Sequence, residues 1–266
     1  VYSFSRMVQL QAQADPYFVF TGWSGTYFSN LNPAFLVLTQ DFQLWANFRS
    51  TLATIYVDDD GPDDPGPGDP AVSDPQENGT GEHPFDSIQE AIDVAARGAM
   101  VYVHGGTYHE SIDLLGKRIE LTGFDPNDPS KAAWPVIDGG GSGPVVSFTR
   151  GEDPNCVLRG VVITGGKDAS GAAIRCSASS PTIANCLIVG NRATHVNGAA
   201  VHCTDSNAVL VNCTIADNYV GSNGAALRLQ NSSVRVVNSI LWGNTPAAIL
   251  ATGTGTPSVR YSCIAG

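Results

Sequence analysis

The amino-acid sequence predicts an all-β solenoid, a chain wound into stacked coils of parallel strands, preceded by a short helix and a small antiparallel module. Three observations predict it: a motif recurring at a fixed step, further columns keeping that step, and strand-length apolar runs with no room between them for helices. The motif is Gly171-Ala-Ala-Ile-Arg-Cys176, Gly198-Ala-Ala-Val-His-Cys203 and Gly224-Ala-Ala-Leu-Arg-Leu229, whose copies start 27 and 26 residues apart. A period in this range marks a stack in which each repeat buries its apolar face only against its neighbours.

Other columns share the step. Asn185-Cys186, Asn212-Cys213 and Asn238-Ser239 make one, Gly190-Asn191, Asp217-Asn218 and Gly243-Asn244 a second, and Ser179-Ser180, Ser206-Asn207 and Ser232-Ser233 a third. Each repeat therefore reads as short Val/Ile/Leu/Thr strands bounded by Gly, Asn and Ser corners. Strands this short, without hairpin spacing, fit parallel coils, which would set equivalent residues about 4.8 Å apart in ladders. Asparagine suits such corners because it tolerates the left-handed backbone region and can hydrogen-bond its copies above and below. On these residues the chain, from about Tyr56 to Gly266, resembles the right-handed parallel β-helix proteins of the pectin-lyase-like fold.

Taken in order, residues 1–50 read as a small, partial β module. Val8, Leu10, Ala12 and Ala14 alternate with Gln9, Gln11, Gln13 and Asp15, the period of half-buried antiparallel strands. Phe20, Gly22-Trp23-Ser24-Gly25, Asn32-Pro33 and Ala46-Asn47-Phe48 resemble the small bacterial surface repeat related to internalin B-repeats, without its upstream strands. Residues 51–82 read as a linker or loop. Between Asp58 and Glu82 lie nine acidic residues, five prolines and no Lys or Arg. Such a run is either a solvated linker or a calcium site. In the second case Asp58, Asp59, Asp60, Asp63 and Asp64, with Asp69 and Asp74 nearby, would supply hard oxygen ligands, though not at EF-hand spacing.

Residues 83–266 read as the solenoid. A helix over about 86–97 is indicated by Ile88, Ala91, Ile92 and Ala95 on one stripe, a Ser87/Glu90 capping box and a terminal Gly98. It would cover the first coil, whose open strand edges otherwise invite association. Met100-Val-Tyr-Val103, Gly105-Gly-Thr-Tyr108 and Ile112 to Gly123 resemble the first coils of secreted β-helix proteins. Val136-Ile-Asp-Gly139 and Val145-Val-Ser-Phe148 continue the stack, and Phe124 to Trp134 reads as a projecting loop. The start without Met and the end partway round a coil read as a fragment of a longer protein.

The net charge is −11, of which nine charges lie in the acidic run, so nucleic acid is not an expected partner. No apolar run reaches the 18 residues of a membrane span. Of the six cysteines, Cys176 and Cys203 share one column and Cys186 and Cys213 another. Small buried thiols stacked in a ladder, or a disulfide between adjacent coils, both fit.

Function has to be read from outward side chains. Because Ile174, Val201 and Leu227 alternate with their neighbours, Arg175, His202 and Arg228 should project together. Lys167, Arg192 and Tyr219 form a second column after the Asn corner, with His195 nearby. Cations stacked at about the strand spacing suit an acidic polysaccharide, whose carboxylates arginine can hold bidentately. Three readings follow: an extracellular or cell-surface scaffold that binds glycans without catalysis, a polysaccharide lyase acting on uronates, or a subunit of an extracellular assembly contacting copies of itself or other surface proteins. A lyase would need a cation, a base and an acid, which the types in these columns include. A glycosidase would need paired carboxylates, and Asp168, Asp205 and Asp217 fall at unlike offsets.

Overall fold

In the computed structural model, which describes residues 6–14, 18–38, 43–59, 76–123, 133–194, 199–221 and 224–265, three parallel sheets wind around one core. The first sheet stacks Thr54–Val57, Met100–Val103, Glu120–Thr122, Val157–Arg159, Thr182–Ala184, Val209–Val211, Arg235–Val237 and Ser258–Arg260. The second stacks Thr107–Tyr108, Val136–Asp138, Val162–Thr164, Leu187–Val189, Thr214–Ala216, Ile240–Trp242 and Cys263–Ile264. The third stacks Ile112–Asp113, Val146–Phe148, Gly171–Ser177, Ala199–Thr204, Ala225–Gln230 and Ile249–Thr252. Between Met100 and Thr252 six successive coils each contribute one strand to each sheet in turn, so the predicted β-solenoid is the architecture the chain adopts.

The core is a set of apolar columns, because in-register pairing lays like upon like. Ile55, Val101, Leu121, Leu158, Ile183, Leu210 and Val236 run up the inside of the first sheet. Ile137, Ile163, Ile188, Ile215 and Leu241 do so in the second, and all twelve are fully buried. Burying each such side chain contributes about 1.5–3 kcal/mol, spread evenly along the stack rather than gathered at one centre.

The corners explain the polar columns of the sequence. The chain turns at residues in the left-handed region: Asn185, Asn212 and Asn238 after the first sheet, Asp217 after the second, and Asp205 and Asn231 after the third, all with φ between 49 and 55°. Asn and Asp tolerate this conformation better than other side chains. One position later a second polar residue turns inward and bonds its copies. The Asn191 amide donates to Asn218 Oδ1 at 3.0 Å, and Asn218 donates to Asn244 Oδ1 at 3.1 Å. Each also donates to carbonyls of its own coil and the one beneath, so these buried amides are satisfied along the ladder. Ser179, Ser206 and Ser232 form a second ladder of three at the corner after the third sheet, closed at its lower end by the buried carboxylate of Glu152, which accepts from the Ser179 hydroxyl at 2.7 Å.

The helix spans Ile88–Val94, shorter than the 86–97 expected, because Ala95 already has an extended ψ of 130°. Ile88, Ala91 and Ile92 cover the first coil, as the stripe requires. The Ser87 hydroxyl accepts from the Glu90 N–H at 3.4 Å, but the further orphan N–H groups are met from the coil: Glu110 accepts from Ile88 N–H at 2.7 Å and Gln89 N–H at 2.9 Å. At the other end Lys117 Nζ donates to the carbonyls of Ile92 and Asp93 at 2.6 and 2.7 Å. An anion at the N-terminus and a cation at the C-terminus both oppose the helix dipole.

Part of the expected linker 51–82 belongs to the solenoid. Thr54–Val57 pairs in parallel with Met100–Val103, and Ile55 and Val57 are fully buried, which anchors the first strand before the acidic run begins. Two apolar positions are too short a pattern to distinguish a strand from a linker in sequence. Upstream, Arg6–Leu10 pairs antiparallel with Ala34–Leu38, and Phe18–Gly25 with Leu44–Ser50.

Candidate functional site

The outer face of the third sheet carries an in-register column of Ser147, Arg175, His202, Arg228 and Leu250. Strand alternation produces it: Ile174, Cys176, Val201, Cys203, Leu227 and Leu229 are buried on the inside, so the residues between them face outward, half-buried among their neighbours. Asp113, paired with Ser147, extends the column downward and is bridged by Arg150 at 3.2 Å. This extension left no signal in the sequence, because the earlier coils lack the Gly-Ala-Ala motif.

Arg175 does not stand alone. Its guanidinium donates to Asp168 Oδ2 at 2.5 Å, and the same oxygen accepts from the Ser170 N–H at 2.8 Å and the Gly171 N–H at 3.2 Å. Burial alone would raise the Asp168 carboxyl, but the Ser170 N–H and the Arg175 guanidinium outweigh it and hold the group below its ordinary value. Asp168 thereby stays an anion that aims Arg175. His202 lies between Arg175 and Arg228 in the column, with Thr204 Oγ1 3.4 Å from its Nε2. Burial and then the two guanidiniums push its pKa down, against a weaker opposing pull from Asp168. The ring is therefore neutral at pH 7.

The second column occupies the corner beside it. Lys167 pairs with Arg192, Arg192 bridges to Tyr219, and Tyr219 to Thr245. The Arg192 guanidinium lies 4.7 Å from the centre of the Tyr219 ring, within cation–π range. The asparagine ladder fixes this corner, since Asn191 and Asn218 immediately precede Arg192 and Tyr219 and are themselves 1% exposed. Of the seven binding residues read from the sequence, Lys167, Arg175, Arg192, His202, Tyr219 and Arg228 thus fall into two adjoining columns, tied through the Asp168–Arg175 ion pair. His195 lies outside the described residues.

Asp205 and Asp217 serve as left-handed corner residues on different corners, so they form no carboxylate pair with Asp168. Of the expected calcium ligands, Asp60, Asp63 and Asp64 lie outside the described residues, as do Asp69 and Asp74. Asp58 lies 3.7 Å from His104 Nδ1, and Asp59, buried, accepts from the Thr107 N–H at 2.9 Å. The described acidic side chains that do converge are Glu77, Asp86 and Glu90, whose ligand atoms lie within 4.8 Å of one another. Burial, then the neighbouring carboxylates led by Glu77 and Asp86, push the Glu90 carboxyl up to about 7. Cys156, Cys176, Cys186, Cys203 and Cys213 are buried free thiols, and Cys263 is exposed.

A family model described as "Right handed beta helix region" matches residues 140–264. A comparison with curated proteins finds no match. Among solved structures, one described as "Crystal structure of pectate lyase Pel9A" is similar at 15% identity with a TM-score of 0.46, over 80% of this chain. The chain spans 63% of that protein's length. With the parallel sheets described above, the matched region makes the solenoid a right-handed parallel β-helix.

Proposed function

We propose that the protein is an extracellular or cell-surface β-helix that binds an acidic polysaccharide along its third sheet and the adjoining corner, as a scaffold rather than a catalyst. The observation that carries this reading is the in-register column Arg175–His202–Arg228 beside Lys167, Arg192 and Tyr219. Taken together the two columns give each of three successive coils a cation, Lys167 with Arg175, then Arg192, then Arg228, so a linear polyanion lying along the axis meets a positive side chain at about the strand spacing even though His202 is neutral. Guanidiniums bind carboxylates with paired donors, Asp168 pre-sets one of them, and Tyr219 offers a ring for a sugar face. The resemblance of the N-terminal module to bacterial surface repeats supports the location.

The test is retention of the protein on polygalacturonate and alginate. Exchanging Arg175 and Arg228 for Ala removes two charged contacts, each worth about 1.5–3 kcal/mol, and binding should fall at least roughly a hundredfold. Equal retention of the double variant, or no retention of the parent, sinks the proposal. A second reading, a uronate lyase, is favoured by His202, a neutral imidazole set between two carboxylate-neutralising arginines and so a candidate base. Release of ultraviolet-absorbing unsaturated uronate, lost in His202→Ala, would move the assignment to that enzyme class.

A further inference from the structure

We infer that a second site, at the opposite end of the third sheet from the repeats, binds a small oxyanion borne on a sugar. It is the cleft of about 420 Å³ between the small module and the capping helix, lined by Phe48 and Arg49 from the module, Asp93, Ala95, Ala96 and Arg97 at and just past the helix end, and Gly116, Lys117 and Arg118 from the first coil. The volume lies within the range of small-molecule pockets. Its charge is what sets it apart. The whole chain has 14 Lys and Arg residues and a net charge of −11, yet four of those cations line this one cleft against a single carboxylate, Asp93.

Two of the four have structural employment. Lys117 caps the helix carbonyls, and Arg118 is ion-paired with Asp153. Asp93 accepts from the Gln89 amide at 2.8 Å, on its own helix. Arg49 and Arg97 remain; both are exposed, and among the described residues neither is ion-paired. They approach the cleft from different elements, one on strand Leu44–Ser50 and the other just past the helix. With Lys117 and Arg118 they place four cations on the lining against one carboxylate, and the positive field of such a cleft concentrates anions there. The remaining wall is apolar: Phe48, whose ring stands edge-on to Phe20 at 5.9 Å, with Ala95 and Ala96. A cleft lined by two arginines without ion-pair partners and by an aromatic and aliphatic wall fits an anionic group on a ring that has one apolar face, which is a carboxylated, sulfated or phosphorylated sugar.

This inference does not rest on the polysaccharide reading, because the residues are different and lie on different elements. The test is isothermal titration calorimetry of the intact protein with glucuronate, inorganic sulfate and inorganic phosphate at constant ionic strength. The expected result is saturable binding of at least one of the three with one site per chain, weakened at least tenfold in both Arg49→Gln and Arg97→Gln. Because these side chains are exposed, the variants should keep the parent's thermal midpoint and circular dichroism. Arg175→Ala with Arg228→Ala should leave the titration unchanged, which separates this site from the column. Absence of binding by all three anions, or unchanged binding in both Gln variants, overturns the inference.

Discussion

Ala178 shows how strictly single positions answer to the coil. It stands at φ 49° in a corner column whose next members are Asp205, Asn231 and Gly253, all residues suited to that conformation. A methyl side chain in the left-handed region costs roughly 1–2 kcal/mol. Because Ala178 is exposed, Ala178→Asn should stabilise the protein by up to about 1 kcal/mol, read as a higher denaturation midpoint at unchanged slope. No gain would mean that the corner is not under backbone strain. Glu90 offers a second residue-scale test. Its carboxyl is pushed up to about 7 in the folded protein, above the roughly 4.3 of an unfolded chain. The folded state therefore binds more protons between these values, and this group's contribution to stability grows as pH falls from about 7 towards 4.3. Glu90→Gln should raise the thermal midpoint at pH 8 and flatten its rise on mild acidification. A variant with the parent's pH profile would show that the acidic cluster is not coupled to folding.

At the scale of elements, ladders matter more than any one strand. The Asn218 amide donates to Asn244 Oδ1, to Ile188 O and to Ala216 O, while its own Oδ1 accepts from Asn191. Asn218→Ala leaves those buried groups unmet, at about 1–3 kcal/mol for each. The expected loss is at least about 3 kcal/mol, read by chemical denaturation. Asn207→Ala, at an exposed corner, should cost much less. Equal costs would mean that the ladder follows the coil rather than holding it. The helix teaches the same lesson from another direction. Its stripe and Ser87 cap were legible in the sequence, but Glu110 and Lys117, which complete its ends, lie 22 and 25 residues from their partners. Nothing local in the sequence ties residues so far apart.

For the whole molecule, the stacked thiols give a direct check of the winding. Five of the six cysteines are buried and free, and burial pushes the Cys156 thiol up to about 12. A disulfide-exchange reagent at pH 8 should titrate one thiol, that of Cys263, in the native protein and six after denaturation. Fewer than six would reveal a bond between coils, and several reactive native thiols would contradict the interior packing.

The repeat carried unusually explicit information, since a period read as identity of residues becomes identity of position once strands stack in parallel. From it follow the solenoid, the corner columns and the shared outward direction of Arg175, His202 and Arg228, because each depends only on counting along the chain. What counting could not supply is everything joined across coils of unlike sequence. The first strand at Thr54–Val57, the Asp168 carboxylate aiming Arg175 and the cleft lined by Arg49 and Arg97 all arise where segments without a common motif meet. Burial, charge coupling and concavity are properties of that meeting, and they exist only once the chain has folded.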